Sequence, residues 1–293
     1  MSRTYTDCVR GMSALIIIVF HVLIFWDFPR VVNLPGSVAV AAFLFLSGYG
    51  VNESFKSKKF NLYWRKKFWR IFVPYWIFIS IYLLLFSTPD LMKWLKAICF
   101  VDSDFWFINN LVKWYIAYYI GRRFFQQHLF IWLLLCGIIS LNFLPHLESE
   151  QSFSFVAGVL ISNHIERCRK LTDRQLTMIA ATCMLLGVFM LLLKEIPAVH
   201  VYRGTLPYHY ILLFIKLPLS VLIILLPHFV KILLKSRVLH ILGISSLESY
   251  LVHLPLVIWS SHDMKRLLLS CVLIPVLTYV FYIFNRKILL RFV

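Results

Sequence analysis

The stretch Asp7–His21 reads DCVRGMSALIIIVFH and places a cation and an imidazole on one apolar segment. Ten residues separate Arg10 from His21, and an α-helix has about 3.6 residues per turn. A step of eleven residues is therefore close to three whole turns, or about 16 Å of rise. We predict that both side chains project from one face of one helix, with Arg10 near its polar start and His21 deep in its apolar body.

Similar apolar segments recur along the whole chain of 293 residues. Hydrophobic residues make up 60% of it and the mean hydropathy is +0.79, far from an ordinary soluble domain. A helix needs about 20 apolar residues to cross a bilayer. We predict an all-α polytopic membrane protein that forms a single domain over 1–293, with about ten spans, one of them short enough to be a half-span. The predicted spans lie near 12–28, 36–53, 68–87, 105–121, 129–144, 152–163 (the short one), 176–193, 207–230, 239–260 and 267–284.

We attribute the net charge of +17 to the unequal distribution of Lys and Arg between the two sides of a membrane rather than to nucleic-acid binding. With the N-terminus in the cytoplasm, 21 of the 30 Lys and Arg residues fall on inner segments, seven on outer segments and two within spans. This excess follows the positive-inside rule, and ten spans return the C-terminus to the cytoplasm. We therefore predict that both termini are cytoplasmic and expect no nucleic-acid partner. The six cysteines show no CxxC pair, so we predict neither a disulfide framework nor a metal site.

His21 has a structural and a functional interpretation. A histidine in a membrane helix can hydrogen-bond to a neighbouring helix and do nothing more. Ionisable groups inside a membrane are nevertheless costly and usually face a cavity or a partner, and the alignment with Arg10 favours function. A neutral imidazole can take a proton from a hydroxyl and return it to a leaving group. An arginine at the inner edge of the same stripe suits a cosubstrate that carries phosphate.

A basic segment opens the third predicted span. Lys66, Lys67 and Arg70 are three and four residues apart, so they share a helical face. This cluster either anchors the span at anionic lipid or binds nucleotide and pyrophosphate oxygens, and charge alone does not separate the two. In the second span, the step Ser47-Gly48-Tyr49-Gly50 indicates helix packing through small residues.

The ninth predicted span carries a polar stripe. Ser246, Tyr250 and His253 follow one another at steps of four and three residues, so they lie on one helical face. Glu248 adds a carboxylate to the same span. We favour a functional site or a structural polar network over incidental polarity here.

Taken in order, these segments resemble the motifs of the acyltransferase-3 family of integral-membrane O-acyltransferases. That family opens with a basic residue, ten residues and a histidine, as in Arg10 to His21, and closes with a phrase like LGxxSxxxYLxH, as in Leu242–His253. Its third span begins R-x-x-R, where this chain has Lys67 and then Arg70. Looser matches are Phe43–Gly48, Trp106–Ile108 and Phe155–Gly158.

The resemblance implies transfer of an acyl group, usually acetyl, from coenzyme A to a hydroxyl. The protein would lie in the cytoplasmic (inner) membrane of a bacterium, with acetyl-CoA as cosubstrate and no bound cofactor. Its acceptor would be a cell-surface glycan such as O-antigen, capsule or exopolysaccharide, or a lipid-linked glycan. The implied roles are catalysis (His21, Arg10), donor binding (Lys67, Arg70) and support of the acceptor or the oxyanion (Ser246, Tyr250, His253).

Several alternatives remain open at the level of sequence. His21 acts either as a general base on the acceptor hydroxyl or as a nucleophile that carries the acyl group. A different class of protein, a transporter or flippase of glycan intermediates or small acylated metabolites, also lines a pathway with polar residues. It predicts movement of substrate without consumption of a donor, and it does not explain the spacing of Arg10 and His21. A degenerate member of the family that only binds acyl-CoA is a third possibility, and the presence of both motif residues counts against it.

Overall fold

The computed structural model describes residues 1–28, 33–57, 62–86, 90–101 and 105–287, and within these ranges the chain is helical and contains no strand. A π-helical segment (Phe68–Phe72) follows α3, and short 3₁₀ segments (Gln126–His128 and Lys231–Lys235) precede α7 and α14. The α-helices are α1 (Arg3–Phe25), α2 (Asn33–Ser57), α3 (Tyr63–Lys67), α4 (Val73–Phe86), α5 (Leu91–Ile98), α6 (Trp106–Phe124), α7 (Leu129–Phe143), α8 (His146–Ser149), α9 (Ser154–Asn163), α10 (Ile165–Arg169), α11 (Asp173–Glu195), α12 (Pro197–His200), α13 (Leu206–Phe229), α14 (Arg237–Ile244), α15 (Ser246–Trp259) and α16 (Met264–Lys287).

The prediction of an all-α chain with several membrane-spanning helices is confirmed. Among the described residues, seven segments are long and apolar enough to cross a membrane: α1, 34–56, 63–85, 126–143, α11, α13 and α16. Helices α14 and α15 meet at 88° and together have the length and composition of either a broken eighth span or a re-entrant loop, so the predicted span 239–260 is not one straight helix. The count of ten spans and the cytoplasmic position of both termini stay predictions.

Two of the ten predicted segments are helical but do not qualify as spans by length and composition. Helix α6 carries three cations in its 19 residues, and α9 is 10 residues long. Most residues of both helices are buried against neighbouring helices, and neither helix is apolar along its whole length. Helix α5, which the sequence analysis did not predict, begins after the capping side chain of Asp90 and receives hydrogen bonds from Tyr75 and Trp76 of α4 at its last carbonyls.

Helix α11 illustrates the membrane-facing side of the molecule. Along this helix, which is described throughout, only Gly187 is buried. Large apolar side chains such as Leu185 and Leu192 are 72% and 64% exposed. An apolar surface of this extent would be unfavourable in water, so we assign it to contact with lipid.

Glycines bring α1 and α14 into backbone contact at the start of the candidate site. A Cβ added at Gly11 would lie 1.9 Å from the carbonyl oxygen of Leu239, and one added at Gly243 would lie 1.9 Å from the carbonyl oxygen of Asp7. The contact is therefore reciprocal, and a side chain at either position would require the helices to separate. It holds α14, and with it the start of α15, level with Arg10.

Substituting Gly243 by alanine is expected to destabilise the protein. Overpacking costs about 1–3 kcal/mol, and each kcal/mol lowers the Tm of a large domain by roughly 2–4 °C. We expect a Tm lower by roughly 2–12 °C in a thermal-shift measurement on the purified protein. Gly50→Ala is the matched control, because the nearest atom to its added Cβ is 3.5 Å away. Equal melting temperatures for the two variants would contradict this packing argument.

A second pair of glycines joins α2 and α9 in the same manner. A Cβ at Gly48 would lie 2.1 Å from the carbonyl oxygen of Phe155, and one at Gly158 would lie 1.9 Å from that of Phe45. This confirms the helix-packing interpretation for Gly48 of the Ser-Gly-x-Gly step. It also explains the Phe-x-x-Gly phrase at 155–158 as the other half of the same contact.

Candidate active site

His21 of α1 and His253 of α15 form a hydrogen-bonded pair. Nε2 of His253 lies 3.1 Å from Nδ1 of His21, and the ring centroids are 5.0 Å apart. Nδ1 of His253 lies 2.9 Å from the carbonyl oxygen of Ser249. His253 is 1% exposed, whereas His21 is only partly buried. The structure therefore brings together the histidines of the first and last motifs, which are 232 residues apart in the chain.

A narrow seam runs along the interface of α1 and α15 on the Arg10 side of this pair. It encloses about 10 Å³, roughly the space of one water molecule. The polar stripe that was predicted on α15 therefore faces the part of α1 between Arg10 and His21. The seam is lined by Ala14, Ile17 and Ile18 of α1, by Ser246, Ser249, Tyr250 and His253 of α15, and by Phe43 of α2.

Ser249 is a lining residue that the sequence analysis missed. It is 1% exposed, and its Oγ has no hydrogen-bond partner among the residues that the structure describes. A buried hydroxyl without a partner is unusual, and this one lies in the seam. A signal was present, because Ser249 falls between Ser246 and His253 at steps of three and four residues.

A larger cavity of about 220 Å³ opens beside the first turns of α1. Four cations line it: Arg10 from α1, Lys66 and Lys67 from α3, and Arg70 from the π-helical segment. No carboxylate occurs among its described lining residues, which makes the cavity suited to an anion. The other lining residues are Ser47, Gly50, Val51, Ser54, Phe55, Tyr63, Ile71 and Tyr115.

Lys67 is held by aromatic rings at the wall of this cavity. Its Nζ lies 3.6 Å from the centroid of the Tyr115 ring and 5.8 Å from that of Tyr63. Tyr63 in turn donates a hydrogen bond from its hydroxyl to the carbonyl oxygen of Tyr115, at 2.9 Å. An ammonium over a ring face is stabilised by the quadrupole of the ring. Lysine thus keeps a fixed position where the family pattern has arginine.

The π-helical segment affects the directions in which the basic side chains project. It begins directly after Lys67 and contains Arg70. A π-helical turn contains more residues than an α-helical one, and such turns are frequent at functional sites. Although the turn alters the predicted spacing of the stripe, Lys66, Lys67 and Arg70 still reach one cavity.

Asp7 orients Arg10 and was not identified from the sequence. Its carboxylate Oδ1 lies 3.4 Å from Nη1 of Arg10, and its side chain is 3% exposed. Arg3 and His240 lie 3.8 Å from the same carboxylate. The guanidinium of Arg10 extends from there toward α2, because a Cβ built at Gly50 would meet its Nη2 at 3.5 Å. The spacing of three residues between Asp7 and Arg10 is the signal that suggests the pair.

Glu248 lies outside this site. Its Oε1 accepts a hydrogen bond of 2.8 Å from the amide of Asn285, and both residues are buried. The contact ties α15 to α16, so we interpret this carboxylate as part of a helix–helix contact.

A second polar cluster surrounds α8 and was also missed. Nζ of Lys113 lies 2.6 Å from Oε2 of Glu148, and Lys216 donates a hydrogen bond to Glu150. Nδ1 of His146 lies 2.7 Å from the other oxygen of Glu150. The two lysines that fall within predicted spans are therefore neutralised by the carboxylates of one short helix and the residue after it. The sequence contained both halves of this pairing, but no local pattern joins them.

One comparison with known proteins found a match, and that match covers all of these elements. A family model described as Acyltransferase domain, of the acyltransferase-3 type, matches residues 3–285. No curated protein and no solved structure matches the chain. The matched range contains the histidine pair, the seam and the cavity with its four cations. Because the match covers nearly the whole chain, the protein belongs to the acyltransferase-3 family of membrane acyltransferases.

Proposed function

We propose that the protein transfers an acetyl group from cytoplasmic acetyl-CoA to a hydroxyl of a cell-surface glycan, in the inner membrane of a bacterium. The proposed acceptors are O-antigen, capsule and exopolysaccharide, free or lipid-linked. One observation carries the proposal: helix α1 connects a four-cation cavity at Arg10 with a histidine pair at His21. The family supplies the reaction class, and this geometry supports an anionic donor on one side and a proton acceptor on the other.

The cavity suits the phosphate-bearing part of coenzyme A. Charge-assisted hydrogen bonds from arginine and lysine to phosphate oxygens are among the strongest in proteins, and Arg10, Lys67 and Arg70 would supply them from α1, α3 and the π-helical segment. A volume of about 220 Å³ is below the range of about 300–1,000 Å³ that encloses a drug-sized ligand. We therefore assign the cavity to the phosphates and leave the adenosine at its cytoplasmic mouth.

The pantetheine arm would follow the seam between α1 and α15. Arg10 and His21 are eleven residues apart on one helix, which corresponds to about 16 Å along its axis. With about 10 Å³ of free volume, the seam is too narrow for the arm and must widen to admit it. Phe43, which lines it from α2, is the bulky side chain whose movement would open it.

The chemistry at the end of the seam requires a base and an oxyanion partner. His21 would take the proton of the acceptor hydroxyl while the hydroxyl oxygen attacks the thioester carbonyl carbon. The C–S bond then breaks, the acetyl ester remains on the acceptor, and the thiolate of coenzyme A receives the proton. Ser246, Ser249 and Tyr250 line the approach, and we assign to their hydroxyl groups the stabilisation of the oxyanion.

A deletion strain tests this function directly. We expect surface polysaccharide from the deletion strain to lack O-acetyl groups on one sugar, as measured by mass spectrometry. Wild-type protein is expected to restore them and His21→Ala is not. In purified wild-type membranes, added acetyl-CoA should release free thiol in step with acetylation.

A transporter or flippase predicts a different result. Its deletion would leave the glycan acetylated but retained on the wrong side of the membrane, and acetyl-CoA would not be consumed. Unchanged O-acetylation in the deletion strain would therefore refute the proposed function.

A further inference from the structure

The hydrogen bonds of His253 specify which of its nitrogens carries a proton. A carbonyl oxygen only accepts hydrogen bonds, so Nδ1 of His253 must donate to the carbonyl oxygen of Ser249, 2.9 Å away. A neutral imidazole has a single N–H. Nε2 of His253 is therefore a hydrogen-bond acceptor.

The same reasoning extends to His21. Its Nδ1 lies 3.1 Å from Nε2 of His253, and since that nitrogen accepts, Nδ1 of His21 must donate. In neutral His21 the lone pair then resides on Nε2, because the other ring nitrogen carries the proton.

We propose that His253 is a positioning residue that holds His21 as its Nδ1–H tautomer, so that Nε2 of His21 takes the proton of the acceptor hydroxyl. This inference rests on the proposed acyl transfer. The carbonyl oxygen of Ser249, in the backbone of α15, fixes the tautomer of the buried His253 ring. This ring in turn fixes the tautomer of His21, the base. When Nε2 gains its proton, the N–H at Nδ1 continues to donate to His253, so the pair stays intact during the reaction.

A histidine suits this position better than the carboxylate that orients many catalytic histidines. A charged carboxylate within a membrane span is costly unless it is paired, and the described residues in contact with the two rings supply no cation. The ring of Phe20 packs against that of His21 with their centroids 4.8 Å apart, and the centroids of the Tyr250 and His253 rings are 5.8 Å apart. A neutral hydrogen-bond acceptor beside these aromatic rings orients His21 without adding a buried charge.

The tautomer is measurable by nitrogen NMR on full-length protein labelled at histidine nitrogens and reconstituted in lipid nanodiscs. The signals of His21 are those that disappear in His21→Ala. We expect a protonated Nδ1 and an unprotonated Nε2 in the wild type. In His253→Leu we expect a mixture of tautomers and a kcat lower by about 10–100-fold, with the KM for acetyl-CoA unchanged.

His253→Gln separates positioning from a structural role. Its amide oxygen can accept from Nδ1 of His21, so we expect it to recover most of the kcat lost in His253→Leu. His164→Leu is the matched control, since this histidine is exposed at the end of α9. A lower melting temperature with unchanged kcat in His253→Leu would indicate a purely structural role and overturn the proposal.

Two further outcomes also decide the matter. A wild-type spectrum with unprotonated Nδ1 overturns the proposal even if His253→Leu does not fold. A fixed tautomer and full activity in His253→Leu would mean that His253 is not needed to hold His21, and also overturns it. If acetyl transfer itself is absent, the spectra still report the tautomer, so failure of the proposed function is distinguishable from failure of this inference.

Discussion

Replacing His21 by alanine is expected to lower the rate of acetyl transfer by about 10²–10⁴-fold, the usual contribution of a general base. The physical reason is that the acceptor hydroxyl loses the group that removes its proton. In the described part of the site, the other imidazole, that of His253, has both nitrogens engaged in hydrogen bonds. The rate is measured as acetyl-CoA-dependent thiol release in membranes that contain the glycan acceptor.

His164→Ala is the control for this substitution, because it removes an exposed imidazole from the end of α9. Binding of acetyl-CoA to His21→Ala should stay close to that of the wild type, since His21 does not line the cavity of the four cations. Turnover in His21→Ala equal to the wild type would contradict the role of this histidine in proton transfer.

The same variant distinguishes the base from the acyl carrier. A covalent route predicts that wild-type protein incubated with labelled acetyl-CoA alone retains label that His21→Ala does not. A direct route predicts no retained label in either protein. The hydrogen bond to His253 is compatible with both, because each uses the lone pair of Nε2.

Much of the fold follows from local sequence, for a physical reason. A helix in a bilayer must satisfy its own backbone hydrogen bonds and present apolar side chains to lipid, so its position is recorded in a continuous stretch of sequence. The Arg10–His21 stripe is equally local, since it depends only on the helical repeat. The bend at Ser245 does not follow from local sequence, because α14 and α15 are both apolar and the contact of Gly243 with α1 holds α14 in place.

The assembly of the site depends on contacts that no local pattern specifies. The sequence placed His253 on a polar stripe and His21 on another, but it did not indicate that α1 and α15 are neighbours. The pairing of Lys216 with Glu150 is a similar case, since 66 residues separate them. Periodicity shows which residues share a face, whereas the partner of that face is decided by packing of the whole chain.

Removing Lys67 and Arg70 together is expected to weaken the binding of acetyl-CoA by about a hundredfold or more, because hydrogen bonds to charged groups contribute about 1.5–3 kcal/mol each. Both cations line the cavity that we assign to the donor phosphates. The effect should appear in Kd and KM, with a smaller change in kcat at saturating donor. Isothermal titration of the purified protein with acetyl-CoA measures it.

Two variants on the same helical segment serve as controls. Lys67→Arg keeps the charge and restores the residue of the family pattern, so its affinity should stay near that of the wild type. Arg65→Ala removes an equal charge from α3, but this exposed residue lies outside the cavity lining. Its affinity for acetyl-CoA should also be unchanged.

The double variant also separates the two roles that the sequence left open for this basic segment. If Lys67 and Arg70 bind donor phosphates, their loss weakens acetyl-CoA binding in nanodiscs of uncharged lipid as much as in anionic lipid. Added salt should then weaken the wild type more than the double variant, because salt screens the contacts that only the wild type retains. If the segment is solely an anchor for anionic lipid, the double variant binds acetyl-CoA normally in uncharged lipid. Normal binding there would remove Lys67 and Arg70 from the donor site.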